Sequence, residues 1–466
     1  MIRMSLTVAL LVAAAAPLAA QQQQAAPVIV DGRIAAMRDD ALANDHYAWD
    51  IVEGLTTEVG QRLAGTDAEA RARAWAVKRL TAMGFADVRV EEFPVPVWTR
   101  GAESAEILSP FPQKLAVAAL GNSASTGPAG VTGEIVAYNS VEELRAAPDA
   151  AVKGKIVFID HNMKPTQDGS SYGPGGTPRR SGPTLASKKG AIAIIVRSAG
   201  TDLHRNPHTG VQTFGDGATP IPAGAISVPD ALQLQRILKR GQPVTLRLTL
   251  VSQTRQGTSG NVIAEIPGRD PSLAPILVGG HLDSWDLGTG AIDDASGVAI
   301  ATAAAKRIMD GGRPLRTIRI VWFGSEEIGL FGGLDYRARY GKLPHYALLE
   351  SDFGADRIWR VESQLGKDRL DEARRIGAAL APLGIVTGSF EEADGSDIGP
   401  MLADGLPGVG LSQDGTRYFD YHHTPDDTLD KIDPAQLKQN VAAWTAALAI
   451  LAGPIEPNAS PTKRKR

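Results

Sequence analysis

Pro275-Ile276-Leu277-Val278-Gly279-Gly280-His281-Leu282-Asp283-Ser284 decides how this chain is read. Its first six residues form an apolar run of strand length that ends directly on a histidine. In open α/β sheets functional groups gather at the carboxyl ends of strands. His281 and Asp283 are two apart, so in extended backbone they point to one side. Asp283 is thereby placed to accept the second ring N–H of His281, fixing its tautomer and raising its basicity.

The same arrangement recurs downstream. Asp293-Asp294-Ala295-Ser296-Gly297 opens a helical run from Val298 to Met309. Carboxylates near a helix start often serve only as caps. This pair, however, sits in a Gly-rich turn a dozen residues after His281, where a bridging carboxylate would be needed. A strand from Thr317 to Phe323 brings Glu326-Glu327 to the same sheet end. Adjacent side chains diverge, so one glutamate can ligate while its neighbour faces water, which gives a ligand and a general base. A fourth strand-like run, Tyr346 to Glu350, leads to Asp352, and His422-His423 precedes Thr424-Pro425-Asp426-Asp427-Thr428. Asp433 and Pro434 then start a last helix that places Val441, Trp444, Leu448 and Leu451 on one face. Nitrogen and carboxylate donors without sulfur suit zinc, with manganese or cobalt as chemical alternatives. Histidines with several carboxylates exceed what one tetrahedral ion requires. The string therefore points to two ions, and paired ions point to hydrolysis.

Composition bounds the rest. A chain of 466 residues is too long for one ordinary core, so at least two domains are expected. A net charge of −4 argues against a nucleic-acid footprint. Cysteine is absent, which excludes disulfides, thiolate ligands and a thiol nucleophile.

At the N-terminus, Arg3, the apolar run Leu6 to Leu18 and the small residues Ala19-Ala20 read as an export signal over residues 1–20. The apolar run is short for a membrane span, and no later segment resembles one. An exported protein, periplasmic or extracellular, is expected, with Gln21 to Gln24 as a polar leader. Thr66-Asp67-Ala68-Glu69 reads as a capping box whose helix stops near Gly84. Val88, Val90 and Phe93 then alternate with charged residues as in a half-buried strand. From about Thr126 to Thr254 the texture is β-rich, with runs at Gly133–Tyr138, Lys155–Ile159, Ala191–Arg197 and Pro243–Leu250 between Gly- and Pro-rich segments. Tyr172 to Arg180 reads as one of those loops. His161, His204 and His208 are scattered there, and scattered loop histidines are usually solvated. Pro207 argues against a shared helix face for His204 and His208.

The pattern resembles the metal-dependent exopeptidases with a co-catalytic zinc pair, which include leucyl-type aminopeptidases and glutamate carboxypeptidases. Gly279-Gly280-His281-Leu282-Asp283-Ser284-Trp285-Asp286, Gly290-Ala291-Ile292-Asp293-Asp294, Glu350-Ser351-Asp352 and Gly395-Ser396-Asp397-Ile398 are similar to the plasma glutamate carboxypeptidase branch of that family. The likeness covers nearly the whole mature chain. It implies an α/β fold with a mixed, mostly parallel central sheet flanked by helices (the zinc exopeptidase fold) and an inserted β-rich protease-associated domain. The division it implies is 21–125 and 256–456 for the catalytic unit, 126–255 for the insert and 457–466 for a basic tail.

The resemblance also implies roles. Zn2+ on His281, Asp352 and a shared Asp293 would pair with a second Zn2+ on Glu327, His423 and the same Asp293. Glu326 would be the general base, Asp283 the partner of His281, and His422 an oxyanion helper where some relatives carry tyrosine. The implied activity is hydrolysis of terminal bonds in dipeptides or short peptides, of aminopeptidase or dipeptidase type, with a glutamate-carboxypeptidase-like activity as the alternative. A non-catalytic binding relative would have lost ligands, and none is lost here; glutaminyl cyclisation would need one zinc only. Asp286, Asp397, Arg417 and Tyr418 are candidate anchors for a substrate terminus, and no Lys or Arg cluster is seen near the ligands. The partner expected is a peptide substrate, with no nucleic acid and no membrane span; a homodimer is compatible with the sequence.

Overall fold

The computed structural model describes residues 30–457. The export signal, the Gln21–Gln24 leader and the Lys463–Arg466 cluster lie outside the described residues. Strands Ile276–His281, Ile318–Phe323, Ala347–Glu350 and Gly408–Gln413 run parallel at the centre of a large mixed sheet. Their apolar runs are buried on both faces, as parallel strands require. Ile276 and Val278 face a core shared with helices Ser296–Gly311 and Pro434–Ala452, whereas Leu277 faces Tyr336, Ile398 and Met401 on the opposite side. That alternation is the period of two expected of a strand. Antiparallel neighbours, Ile358–Gln364 on one side and Thr245–Ile266 on the other, extend the sheet.

The last helix starts as its sequence predicts. Asp433 accepts hydrogen bonds from the Ala435 and Gln436 amides, and Pro434 occupies the first turn, where no amide is needed. It is buried nearly all round and not on one face alone, because small residues such as Ala442, Ala443, Ala446 and Ala447 let neighbouring helices approach. Helix Asp67–Ala82 begins with half of the expected box. Thr66 Oγ1 accepts from the Glu69 amide at 3.4 Å, but Glu69 reaches past Thr66 to the Gly65 amide at 3.1 Å.

Two long strands, Ala86–Ser109 and Thr245–Ile266, pair antiparallel and run from the catalytic sheet into the second lobe. There Thr245–Leu248 pair with Val131–Glu134, and the sheet continues through Val131–Tyr138, Ile156–Ile159, Ala193–Arg197 and Ala223–Ile226 in parallel. Strand Val117–Ala119 closes its edge, so the second lobe draws on chain before residue 126. Two helices, Thr177–Lys188 and Val228–Leu238, accompany these strands. The segment read as a loop from Tyr172 to Arg180 is in fact helical, as Tyr172–Gly175 followed by Thr177–Lys188. Pro178 stands in the first turn of the second helix, where proline costs no hydrogen bond, so a Gly- and Pro-rich stretch can open a helix.

Candidate metal centre

Strand register assembles the centre. Glu350 pairs with Gly279, so Asp352 comes level with His281. Phe323 pairs with His281, and Gly324-Ser325 then turn Glu326 and Glu327 across the strand ends. Ser325 has a φ of 62°, a left-handed conformation that a side chain holds only when its surroundings impose it. Asp283 supplies part of that constraint, accepting from the Glu326 amide at 3.0 Å and the Glu327 amide at 3.3 Å. Its carboxylate is thus committed and lies 3.7 Å from His281 Nδ1. The ring contact expected of that carboxylate is made by the Asp283 carbonyl oxygen, 3.0 Å from Nδ1.

Asp294 ties the next element in place. Its carboxylate accepts from the His281 amide at 3.0 Å and the Gly297 amide at 2.9 Å. A Cβ on Gly280 would fall 2.5 Å from that carboxylate, so glycine is required for the approach. From beneath, the fully buried Arg62 donates to the carbonyls of Leu282 at 2.5 Å, Thr289 at 2.6 Å and Gly290 at 2.8 Å. Asp427 Oδ1 accepts from the Ala291 and Ile292 amides at 2.8 and 2.7 Å. Burial and the nearby Asp293 push Asp427 up to about 7. The loop that carries Asp293 is therefore held at both ends.

Asp293 faces two donor sets. Its Oδ1 lies 3.0 Å from His281 Nε2, which is also 3.2 Å from Asp352 Oδ1. Its Oδ2 lies 3.1 Å from His423 Nε2, which is also 2.9 Å from Glu327 Oε2. Donors at tetrahedral angles on zinc, each roughly 2.05 Å from the ion, are about 3.3 Å apart. Both sets therefore have the spacing of donors around a common ion. Asp293 Oδ2 and Glu327 Oε1 are buried and receive no hydrogen bond. Burial, with the charge of Asp352 nearby, pushes Glu326 well above the carboxylate range; burial and Asp293 do the same to Glu327. Burial opposes charge on His281, yet Asp352 and Asp293 raise it well above an ordinary histidine. Carboxylates crowded into a dry site call for cations, and the residues present fit that demand.

A cleft of about 520 Å³ opens over the centre, lined by Asp293, Glu326, Glu327, Asp352 and both His422 and His423. His422 Nε2 lies 3.3 Å from Asp293 Oδ2. Of the candidate anchors only Tyr418 lines this cleft. Asp286 is paired with Arg100 at 2.9 Å, Arg417 with Asp356 at 2.6 Å, and Asp397 is buried behind the wall, accepting from the Gly333 amide.

The second lobe contributes residues that the sequence reading missed. Tyr172, Arg179 and Arg180 line the cleft, so basic groups do stand near the centre. Arg179 donates to the Thr209 carbonyl at 3.1 Å and to the Tyr172 hydroxyl at 2.7 Å. His204 is exposed as expected, but His208 is 2% exposed and sits against His422 and His423. Nothing local to His208 signals this, since only the fold brings residues 208 and 422 together.

The sequence profile of peptidase family M28 matches residues 261–448, and that of the PA domain matches residues 131–234. Carboxypeptidase Q of Bos taurus is 35% identical over 407 residues, covering 85% of this chain and 84% of that protein. The crystal structure of a Peptidase M28 precursor from Shewanella amazonensis SB2B superposes with a TM-score of 0.87 at 43% identity, over 92% of this chain and 98% of that one. A zinc aminopeptidase from Bacillus subtilis shares the fold at a TM-score of 0.64 and 21% identity, over 86% and 94%. Fold and site together define a metallo-exopeptidase. The chain belongs to peptidase family M28, and it carries a PA domain.

Proposed function

We propose that the centre holds two zinc ions and hydrolyses the terminal bond of dipeptides or short unblocked peptides, as an aminopeptidase or dipeptidase. The observation that carries this is Asp293, whose two oxygens each face a separate histidine–carboxylate set. In this reading His281, Asp352 and Asp293 hold one ion, and Glu327, His423 and Asp293 the other. Bound zinc supplies Lewis acidity to polarise a carbonyl and acidify water. Glu326, whose carboxylate lines the cleft, takes the proton of the attacking water and returns it to the leaving amine. His422 offers Nε2–H to the oxyanion. Asp283 orients the base through the Glu326 amide, and Tyr172, Phe353 and Phe419 narrow the cleft against water.

Charge along the cleft supports a substrate with both ends free. Arg179 and Arg180 line one part, suited to a carboxylate. Beyond Asp352 an adjoining hollow of about 340 Å³ is lined by Asp168, Glu350 and Asp394, suited to an ammonium, with Arg360 there paired to Glu362 at 3.3 Å. The same arginines favour the second reading, a glutamate-carboxypeptidase-like activity. A panel of dipeptides with free, N-blocked and C-blocked ends, with and without chelator, separates the two. We expect free dipeptides to be cleaved, chelator to stop the reaction, and N-blocking to abolish it; release of C-terminal residues from N-blocked peptides would refute the aminopeptidase reading. Zinc analysis should return two ions per chain, and a count of one would refute the pair.

Export rests on residues 1–20, and among the described residues no helix is long and apolar enough to cross a membrane. A mature protein beginning at Gln21 is expected in the periplasmic or extracellular fraction, and an intact Met1 there would refute cleavage. Residues 126–255 are proposed as the insert, completed at its edge by Val117–Ala119 and joined to the catalytic unit by the paired long strands.

A further inference from the structure

His208 is buried, comes from the second lobe, and has no part in the reaction derived above. Its Nε2 lies 3.1 Å from Nδ1 of His422, whose own Nε2 stands 3.3 Å from Asp293 Oδ2 without a hydrogen bond between them. One proton sits between the two imidazole nitrogens, and its owner follows from the other end of His422. The oxyanion role of His422 requires an N–H on Nε2, and a neutral imidazole carries only one N–H. The proton of His422 therefore belongs on Nε2. Its Nδ1 must accept, and His208 Nε2–H is the donor.

The surroundings hold His208 in that attitude. Its amide donates to Ser198 Oγ at 2.9 Å, and the next amide, Thr209, donates to the His423 carbonyl at 3.0 Å. Thr209 Oγ1 is anchored on the Ala119 carbonyl at 2.7 Å. The Tyr172 ring meets His208 and His422 edge-on, with centroids 6.0 and 5.1 Å away. A metal ion shared by His208, His422 and His423 is disfavoured, because the Arg179 guanidinium stands 3.4 Å from His423 Nδ1.

We propose that His208 is a positioning residue that fixes the tautomer and ring plane of His422, so that the second lobe sets the hydrogen-bond donor facing the scissile carbonyl. The proposal rests on the peptide-hydrolysis reading, in which His422 donates from Nε2.

The test uses the full chain with bound metal and 15N-histidine labelling. Ring spectra of the wild type should show His422 protonated at Nε2 and bare at Nδ1; the reverse tautomer would overturn the proposal without any variant. His208→Phe keeps the ring shape and removes the donor. It should lower kcat about tenfold, the equivalent of one lost hydrogen bond, with KM within about twofold and metal content unchanged. His208→Gln retains an N–H donor and should recover most of the rate. Wild-type kcat in His208→Phe, no recovery in His208→Gln, or loss of metal from His208→Phe would each overturn it. Should the wild type cleave no peptide at all, the hydrolysis reading fails while the ring spectra still decide the role of His208.

Discussion

Arg62 is the least conspicuous residue of the centre and the one whose removal should matter most to its architecture. Arg62→Leu keeps an apolar side chain in a fully buried place but withdraws the guanidinium donors from the loop between His281 and Asp293. Three carbonyls, those of Leu282, Thr289 and Gly290, now bonded at 2.5 to 2.8 Å, lose their partners. Each orphaned buried acceptor costs about 1–3 kcal/mol. Relaxation of the loop will reduce the sum, and removal of one member of a buried charged network typically costs about 3–5 kcal/mol. We expect a loss in that range, measured as the shift of the urea midpoint of the metal-free protein multiplied by its slope. Hydrogen exchange should place the change at the amides of 282–292. Arg62→Lys keeps the charge but cannot reach three carbonyls in one plane, so its loss should be intermediate. A loss under about 1 kcal/mol in Arg62→Leu, or an exchange change spread evenly over the chain, would refute the reasoning.

Glu326→Gln should retain its metal by elemental analysis while turnover falls roughly 10²- to 10⁴-fold, the range for loss of a general base; unchanged turnover would remove Glu326 from that role. Asp293→Ala should lose metal from both sets, because each draws one oxygen from it, and retention of one full equivalent would show the bridge to be unnecessary. Arg179→Met should raise KM for free dipeptides more than for their C-amidated forms, since only the free form offers a carboxylate; equal effects would exclude Arg179 as that anchor. Asp433→Ala should cost about 1 kcal/mol in thermal or urea unfolding through loss of the cap, with activity unchanged at saturating metal.

The catalytic half was legible because its logic is local. An apolar strand followed at once by His281, by Glu326 and Glu327, or by Asp352 announces a sheet edge and its chemistry in one run of residues. The carboxyl-end rule then predicts that the separate runs meet, and the observed register brings them level. What was not legible depends on distant pairs. Arg62 lies more than two hundred residues before the carbonyls it holds, and no local pattern marks it. His208 looks like a loop histidine until strand pairing carries its loop onto His423. Asp283 was read by spacing alone, and spacing does not reveal that the Glu326 and Glu327 amides take its carboxylate first. Tyr172 to Arg180 failed for another reason: proline and glycine density signals both a loop and a helix start.

Ala86–Ser109 and Thr245–Ile266 cross the junction between the lobes as one hydrogen-bonded ribbon, whose register shifts between Arg100 and Glu103 and again near each end. At roughly 3.3 Å per residue such a ribbon is about 70 Å long. The jaw formed by Arg179 and Tyr172 is thus carried to the cleft over Asp293 by paired strands, and the width of that gap is tied to the register of two segments far apart in the chain.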